Sequence, residues 1–286
     1  MKNICVYHKN CTDGTTAAAV LLMKLNECKL FPFDHNYKEE DFNYLISEID
    51  ENTTIYIVDF SLKEKDFETL LQKGVSVVVI DHHISAKEML EKLSKRYSNF
   101  QYVFDNNSSG ASLTYRYFFG DDLPEVVRYV EDKDIWKWEF GDITKYVNDY
   151  LFLFTNKPEE VKNIIQSQSL EEIIEKGKII NQYTTYLIET FVEKSKDLFI
   201  KIGDYKVRAY NTGLFQSEIG NLLSTKFDQA VCLFSINGDY VKLSFRSLDH
   251  HNPSSLDLAK LLGGGGHRNA AGASLSLTEF CNILLI

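Results

Sequence analysis

The chain has 286 residues, 44% of them hydrophobic, and a formal charge of −10. That length and apolar content suit one large domain or two ordinary ones, and no run of eighteen apolar residues marks a membrane span. The acidity excludes a general phosphate-neutralising surface for long duplex DNA, yet leaves room for a short anionic ligand met by metal ions and a few basic residues.

The segment from Met1 to His8 reads as an immediate strand. It lacks the long apolar stretch and small-residue cleavage site of a signal peptide. Short apolar runs at Ile4–Tyr7, Thr54–Val58 and Val75–Ile80 predict parallel strands covered on both faces. Helices are predicted between them at Thr15–Asn26, Glu39–Asp50 and Lys63–Lys73. This βαβ alternation predicts a doubly wound parallel sheet. From about Leu113 to Leu198 helix follows helix, and the long Leu170–Phe199 stretch leads into a second domain. There, strands are expected at Phe199–Ile202, Tyr205–Tyr210, Ala230–Ile236 and Tyr240–Phe245, with Gly238-Asp239 as a hairpin turn. Phe215–Lys226 and Ser255–Leu262 read as helices. The expected fold class is α/β: a doubly wound parallel-sheet domain, a helical connector and a smaller C-terminal α/β domain. The expected domain bounds are 1–195 and 196–286. Ile283–Ile286 is read as core packing, with an edge strand or a homodimer contact as alternatives. Cys5, Cys11, Cys28, Cys232 and Cys281 are odd in number and scattered, which fits a reducing cytoplasm better than a disulfide framework.

Three predicted strands run into residues able to bind metal. The first reaches His8, Cys11 and Asp13, the second Asp59, and the third Asp81-His82-His83. Ligands of open α/β sheets bind beyond the carboxyl ends of strands. A single aspartate closing a strand is usually a turn former or a helix cap. Jointly, however, these strand ends favour a metal site. Carboxylates and imidazoles suit divalent manganese, magnesium or zinc. Two ions about 3.5–4 Å apart can activate water and stabilise both oxygens of an in-line phosphoryl displacement. Asp134, in the stretch from Val130 to Trp138, is a further candidate, with Asp132 as the alternative. Trp136 and Trp138 either shield such a site, stack on a base, or are core aromatics at a helix end.

The run Gly263-Gly264-Gly265-Gly266-His267-Arg268 cannot be the interior of a stable helix or strand. It predicts a backbone that approaches a ligand closely, with amides free to cradle phosphate oxygens. Arg246, near a strand end, offers a bidentate phosphate clamp or is a surface arginine.

Asp81-His82-His83, followed far downstream by Gly264–His267 and Ala270-Ala271-Gly272, resembles the DHH superfamily of phosphoesterases. The likeness is to the branch with a DHH-associated C-terminal domain. That branch includes RecJ-type nucleases, nanoRNases (oligoribonucleases), phosphoadenosine-phosphate phosphatases and cyclic-dinucleotide phosphodiesterases. The resemblance implies two divalent ions, with Mn2+ leading and Mg2+, Zn2+ or Fe2+ as alternatives. His8 would bind the first ion; Asp13, His82 and Asp134 would bind the second; Asp59 would bridge them. His83 would face the substrate phosphate, supported by Asp81. Arg246, Gly265, Gly266 and His267 would bind substrate. Cys11 stands where the family's first motif usually has an aspartate, and a soft thiolate suits zinc or iron better than manganese. The implied activity is a metal-dependent phosphodiesterase or phosphatase, nanoRNase-like, cutting short oligonucleotides from an end. The alternatives are a phosphoadenosine-phosphate phosphatase, a cyclic-dinucleotide phosphodiesterase, or a nucleotide-binding module without hydrolysis.

Overall fold

The computed structural model describes residues 2–25 and 27–285. The strand expected to start at Met1, the helix expected to reach Asn26 and the apolar segment expected to reach Ile286 each end outside the described residues. The chain forms two compact units, Met1–Gln182 and Tyr183–Ile286. The division falls inside a long helix, N-terminal of the 195/196 boundary expected from sequence.

The first unit contains β1 (Lys2–His8), α1 (Thr12–Lys24), β2 (Lys29–Phe33), α2 (Glu39–Ser47), β3 (Thr53–Val58), α3 (Glu64–Gln72), β4 (Ser76–Asp81), α4 (Lys87–Arg96) and β5 (Phe100–Phe104). Helices α5 (Gly110–Phe119), α6 (Glu125–Asp134), α7 (Asp142–Phe152) and α8 (Pro158–Ser167) follow, and α9 (Leu170–Lys194) runs on into the second unit. The five strands are all parallel, in the order β2-β1-β3-β4-β5. Both faces are covered, as the doubly wound expectation requires. Ala17–Leu21 of α1 pack on one face with residues of α5 to α9, around Tyr7 and Ile80. Phe42 and Leu45 of α2, Phe67 and Leu70 of α3, and Leu90 and Leu93 of α4 pack on the other, around Ile4, Ile55 and Val77. Each fully buried side chain of this kind contributes about 1.5–3 kcal/mol.

This order places β1 beside β3, where the winding of the sheet reverses. In flavodoxin-like sheets that crevice is the ligand site. Strand β2 was not expected from sequence, because Pro32 interrupts its apolar run. A proline is tolerated there because β2 is an edge strand. Strand β5, at the opposite edge, also went unread.

The second unit contains β6 (Leu198–Ile202), β7 (Tyr205–Asn211), α10 (Gln216–Phe227), β8 (Val231–Asn237), β9 (Tyr240–Arg246), α11 (Ser255–Leu261), β10 (Gly265–Gly266), β11 (Ala270–Ser276), α12 (Leu277–Ile283) and β12 (Leu284–Leu285). They form a sheet of order β10-β11-β9-β8-β7-β6-β12, in which only β7 and β8 pair in parallel. Leu258 and Phe280, from α11 and α12, pack on one face. Ile219 and Leu223 of α10 pack on the other, with Ile188 of α9. The segment read as core therefore includes an edge strand, with Leu284 opposite Ile200.

The glycine run differs from its expectation. Gly265 and Gly266 form a short strand, paired with Gly272 and Ala271. The Gly263 and Gly264 amides donate to Lys260 and Ala259 carbonyls, and the His267 amide donates to Ala270. A Cβ on Gly264 would lie 2.1 Å from the Gly272 carbonyl oxygen. Much of the run's freedom thus serves close approach to β11, and those three amides are committed to the fold rather than free for phosphate.

Candidate active site

Strands β1, β3 and β4 of the first unit deliver residues at their carboxyl ends. His8 closes β1, and Asp59 follows β3 with a left-handed backbone, φ 52°. Aspartate tolerates this conformation better than bulkier residues, and such outliers cluster at functional sites. His82 and His83 follow β4. His82 Nε2 lies 3.1 Å from Asp59 Oδ1, 3.5 Å from Asp134 Oδ2 and 4.0 Å from Asp13 Oδ2. His8 Nδ1 lies 3.4 Å from Asp59 Oδ2. Two sets of ligand atoms result, His8–Asp59–His83 and Asp13–Asp59–His82, each within 4.8 Å mutually, with Asp59 in both.

Close packing enforces this convergence. Asp13 lies in the first turn of α1, and its carboxylate accepts the amides of Gly110 (2.6 Å) and Ala111 (3.0 Å) at the start of α5. Ser109 caps that helix through the Ser112 amide. A Cβ on Gly14 would sit 2.4 Å from the His8 carbonyl oxygen, which explains the glycine after Asp13. The β1–α1 loop is pinned by paired side chains: Asn156 Nδ2 donates to Asn10 Oδ1, and the Asn10 amide donates to Asn156 Oδ1.

The charges call for a cation. Burial, together with the Asp59 and Asp134 charges, pushes Asp13 well above its ordinary value. Burial also opposes ionisation of Asp59, but the His8 and His82 imidazoles hold it well below the carboxylate range. Burial disfavours a charged His82, yet Asp59, Asp134 and Asp13 push it up to about 11. An imidazolium is thus the positive charge that the carboxylates find within the chain. His8 Nδ1 and Asp59 Oδ2 are buried and satisfied by no hydrogen bond. Buried polar atoms of this kind call for a partner such as an ion or a water. This mixed nitrogen and oxygen donor set fits a divalent ion.

Asp81 is fully buried behind the site. Its Oδ1 bonds His83 Nδ1 at 2.6 Å and accepts the His82 amide at 2.8 Å, while its Oδ2 accepts the Ser61 hydroxyl at 2.6 Å. Although burial raises it, His83 and Ser61 hold Asp81 at about 2, ionised and fixing the imidazole.

The structure also separates Asp132 from Asp134. Asp132 is buried and accepts the Glu139 amide (2.8 Å), the Phe140 amide (3.3 Å) and the Thr144 hydroxyl. It holds the loop that follows α6, whereas Asp134 faces His82. Cys11 joins neither ligand set among the described residues. Burial and the nearby Asp59, Asp134 and Asp13 push its thiol well up, away from the thiolate form that binds metal.

Two participants were not read from sequence. His35 follows β2, with its ring 5.0 Å from His8 and 6.0 Å from His83, centroid to centroid, and remains exposed. Gly110 lies against Asp59 and Asp13. The serine pair before it is the helix-start signal from which α5 was readable.

In the second unit, Arg246 donates to Ser244 Oγ (2.9 Å), the Phe245 carbonyl (2.8 Å) and Ser217 Oγ (3.0 Å). A Cβ on Gly220 would lie 2.4 Å from Arg246 Cγ, so the glycine makes room for it. Asp228, His250 and His251 form a third cluster. Here the Leu248 amide donates to His251 Nδ1, which leaves the proton on Nε2, facing Asp228 at 3.3 Å. That tautomer makes the cluster a hydrogen-bonded clamp. The hydrogen bonds from His250 and His251 lower Asp228 below its ordinary value. A depressed aspartate contributes stability above its unfolded pKa of about 3.9 and loses it as pH falls through the folded value. Asp228→Asn is therefore expected to lower the melting temperature at pH 6 and to match wild type once both are acidified below the aspartate range. An equal deficit at both pH values would assign the loss to something other than this carboxylate.

A flavodoxin-like sheet whose strand ends gather two histidine–carboxylate sets around one shared aspartate could hold divalent ions, and the similarities that follow make the protein a phosphoric ester hydrolase. Residues 3–136 match the DHH family, N-terminal domain, a span that holds every N-terminal site candidate from His8 to Asp134. Protein R106 of Acanthamoeba polyphaga mimivirus is 23% identical over 98% of this chain and 69% of its own length. Oligoribonuclease NrnB of Bacillus subtilis (strain 168) is 24% identical over 78% of this chain. This chain spans 59% of NrnB, less than two thirds of that protein. RecJ from Thermus thermophilus, solved with Mn2+, shares the fold, with a TM-score of 0.54 at 16% identity, over 98% of this chain and 50% of RecJ. No helix among the described residues is long and apolar enough to cross a membrane.

Proposed function

We propose that the chain hydrolyses the phosphodiester bonds of short oligonucleotides from an end, as a nanoRNase does. The observation that carries this reading is Asp59, shared by two ligand sets. His8 and Asp59 would hold one ion; Asp13, Asp59, His82 and Asp134 would hold the other. Manganese is the leading metal, as the resemblance to the DHH superfamily implies, and the carboxylate donors are compatible with it. Divalent ions held there would activate water and offset the charge on the phosphoryl oxygens. His83, fixed by Asp81, would donate to a phosphoryl oxygen. On the second unit, Arg246, Gly265, Gly266 and His267 are assigned to substrate binding; the serine bonds that hold Arg246 support this. Similarity to an oligoribonuclease and the charge of −10 favour short substrates over long duplexes. The five cysteines are all free thiols, which fits a reducing cytoplasm.

The test offers a 5′-phosphorylated dinucleotide, phosphoadenosine phosphate, a cyclic dinucleotide and pyrophosphate to purified protein with Mn2+. Mononucleotides released fastest from the dinucleotide are expected. No turnover of the dinucleotide with manganese, magnesium, zinc or iron would overturn the reading.

A further inference from the structure

The loop that follows Asp134 has a backbone no ordinary connection needs. Trp136 and Trp138 both adopt left-handed conformations, φ 59° and φ 57°. Bulky residues rarely do so, and the surroundings must hold them there. Asp132 does the holding. Its carbonyl accepts the Lys137 amide (3.0 Å) and the Trp138 amide (3.4 Å), and its carboxylate accepts those of Glu139 and Phe140. The Trp136 amide donates to the Lys133 carbonyl at 3.0 Å. Every amide from Trp136 to Phe140 is thus tied back to α6.

This fixed loop does not bury its aromatics. Trp136 is 41% exposed and meets Trp138 edge-on, with centroids 5.0 Å apart and planes at 82°. A T-shaped pair is a favourable aromatic arrangement, and part of the Trp136 indole stays open to solvent. Trp136 follows the ligand candidate Asp134 by two residues, so their Cα atoms lie within about 7.6 Å. A fixed, exposed indole two residues from a candidate metal ligand is within reach of the base of a nucleoside phosphate held at that metal.

We infer that Trp136 is the stacking platform for the nucleobase next to the scissile phosphate, and that Asp132 positions it. The inference rests on the nucleotide reading above and names the part of the substrate recognised. Stacking is sequence-tolerant, because every base presents a π-face. The platform would therefore accept purines and pyrimidines and discriminate against phosphate esters that lack a base.

The chain's only two tryptophans lie in this loop, so intrinsic fluorescence reports on it alone. Full-length protein with Mg2+ is titrated with AMP and, separately, with ribose 5-phosphate. AMP is expected to quench saturably, and ribose 5-phosphate is not. Trp136→Ala is expected to weaken AMP binding, measured by calorimetry, about tenfold or more, while ribose 5-phosphate binding and the melting temperature stay near wild type. Trp136→Phe is expected to recover most of the AMP affinity. Wild-type AMP affinity in Trp136→Ala, equal losses for both ligands, or no saturable AMP binding by wild type would each overturn the inference. Dinucleotide turnover with an unchanged KM in Trp136→Ala would sink it and leave the proposed function standing. Trp136-dependent AMP binding without turnover of any dinucleotide would do the reverse.

Discussion

Asp59→Asn is expected to lower dinucleotide turnover by at least about three orders of magnitude, equivalent to about 4 kcal/mol of transition-state stabilisation. Asparagine keeps the size of the side chain and tolerates the left-handed backbone at this position. What it removes is the negative charge that both ligand sets share. Loss at one set alone would leave one ion bound; loss at the shared residue weakens both. Bound manganese per chain, measured by equilibrium dialysis, should therefore fall below one. Wild-type stoichiometry with activity abolished would show that Asp59 serves the reaction without holding metal. Wild-type turnover would remove the two-ion reading.

Gly110→Ala is expected to destabilise the protein and empty the site, although alanine is ordinarily the better helix residue by about 1 kcal/mol. The new Cβ would lie 2.4 Å from Asp59 Cβ, 2.8 Å from Asp59 Cα and 3.0 Å from Asp13 Oδ2. Relief requires α5 to move away from β3, which takes the Gly110 amide from Asp13. Overpacking of this kind costs about 1–3 kcal/mol, and the metal deficit adds to it. Gly265→Ala is the control, because nothing lies within 4 Å of its new Cβ. Equal melting temperatures and manganese uptake in the two variants would contradict the packing described here.

The strand ends that converge on the candidate site were legible because parallel strands covered on both faces run as apolar blocks, and a charged residue at the end of such a block stands out. His8, Asp59 and His82 were readable on that ground alone. Strand β2 was hidden because Pro32 breaks its block, and His35 was lost with it. Asp132 and Asp134 are equivalent in a string of letters. Only the turn after α6 shows that the first is committed to backbone amides and the second faces an imidazole. Gly110 was unreadable for a deeper reason: its neighbour Asp59 is fifty-one positions away in the chain (110 − 59), and no local pattern encodes that meeting. The glycine run misled in the opposite direction, because close approach to a strand and close approach to a phosphate ask for the same residue.

The order in which the first unit's parts occur along the chain has a consequence for its biosynthesis. All five strands precede Asp105, but the amides that receive Asp13 belong to Gly110 and Ala111, and Asp134 comes later still. A nascent chain ending just after β5 would hold the whole sheet with Asp13 lacking both amides and Asp134 absent. If the proposed ion-binding set is right, the growing polypeptide cannot assemble it in full until α6 has left the ribosome, and metal capture would be a late event that reports completion of the domain.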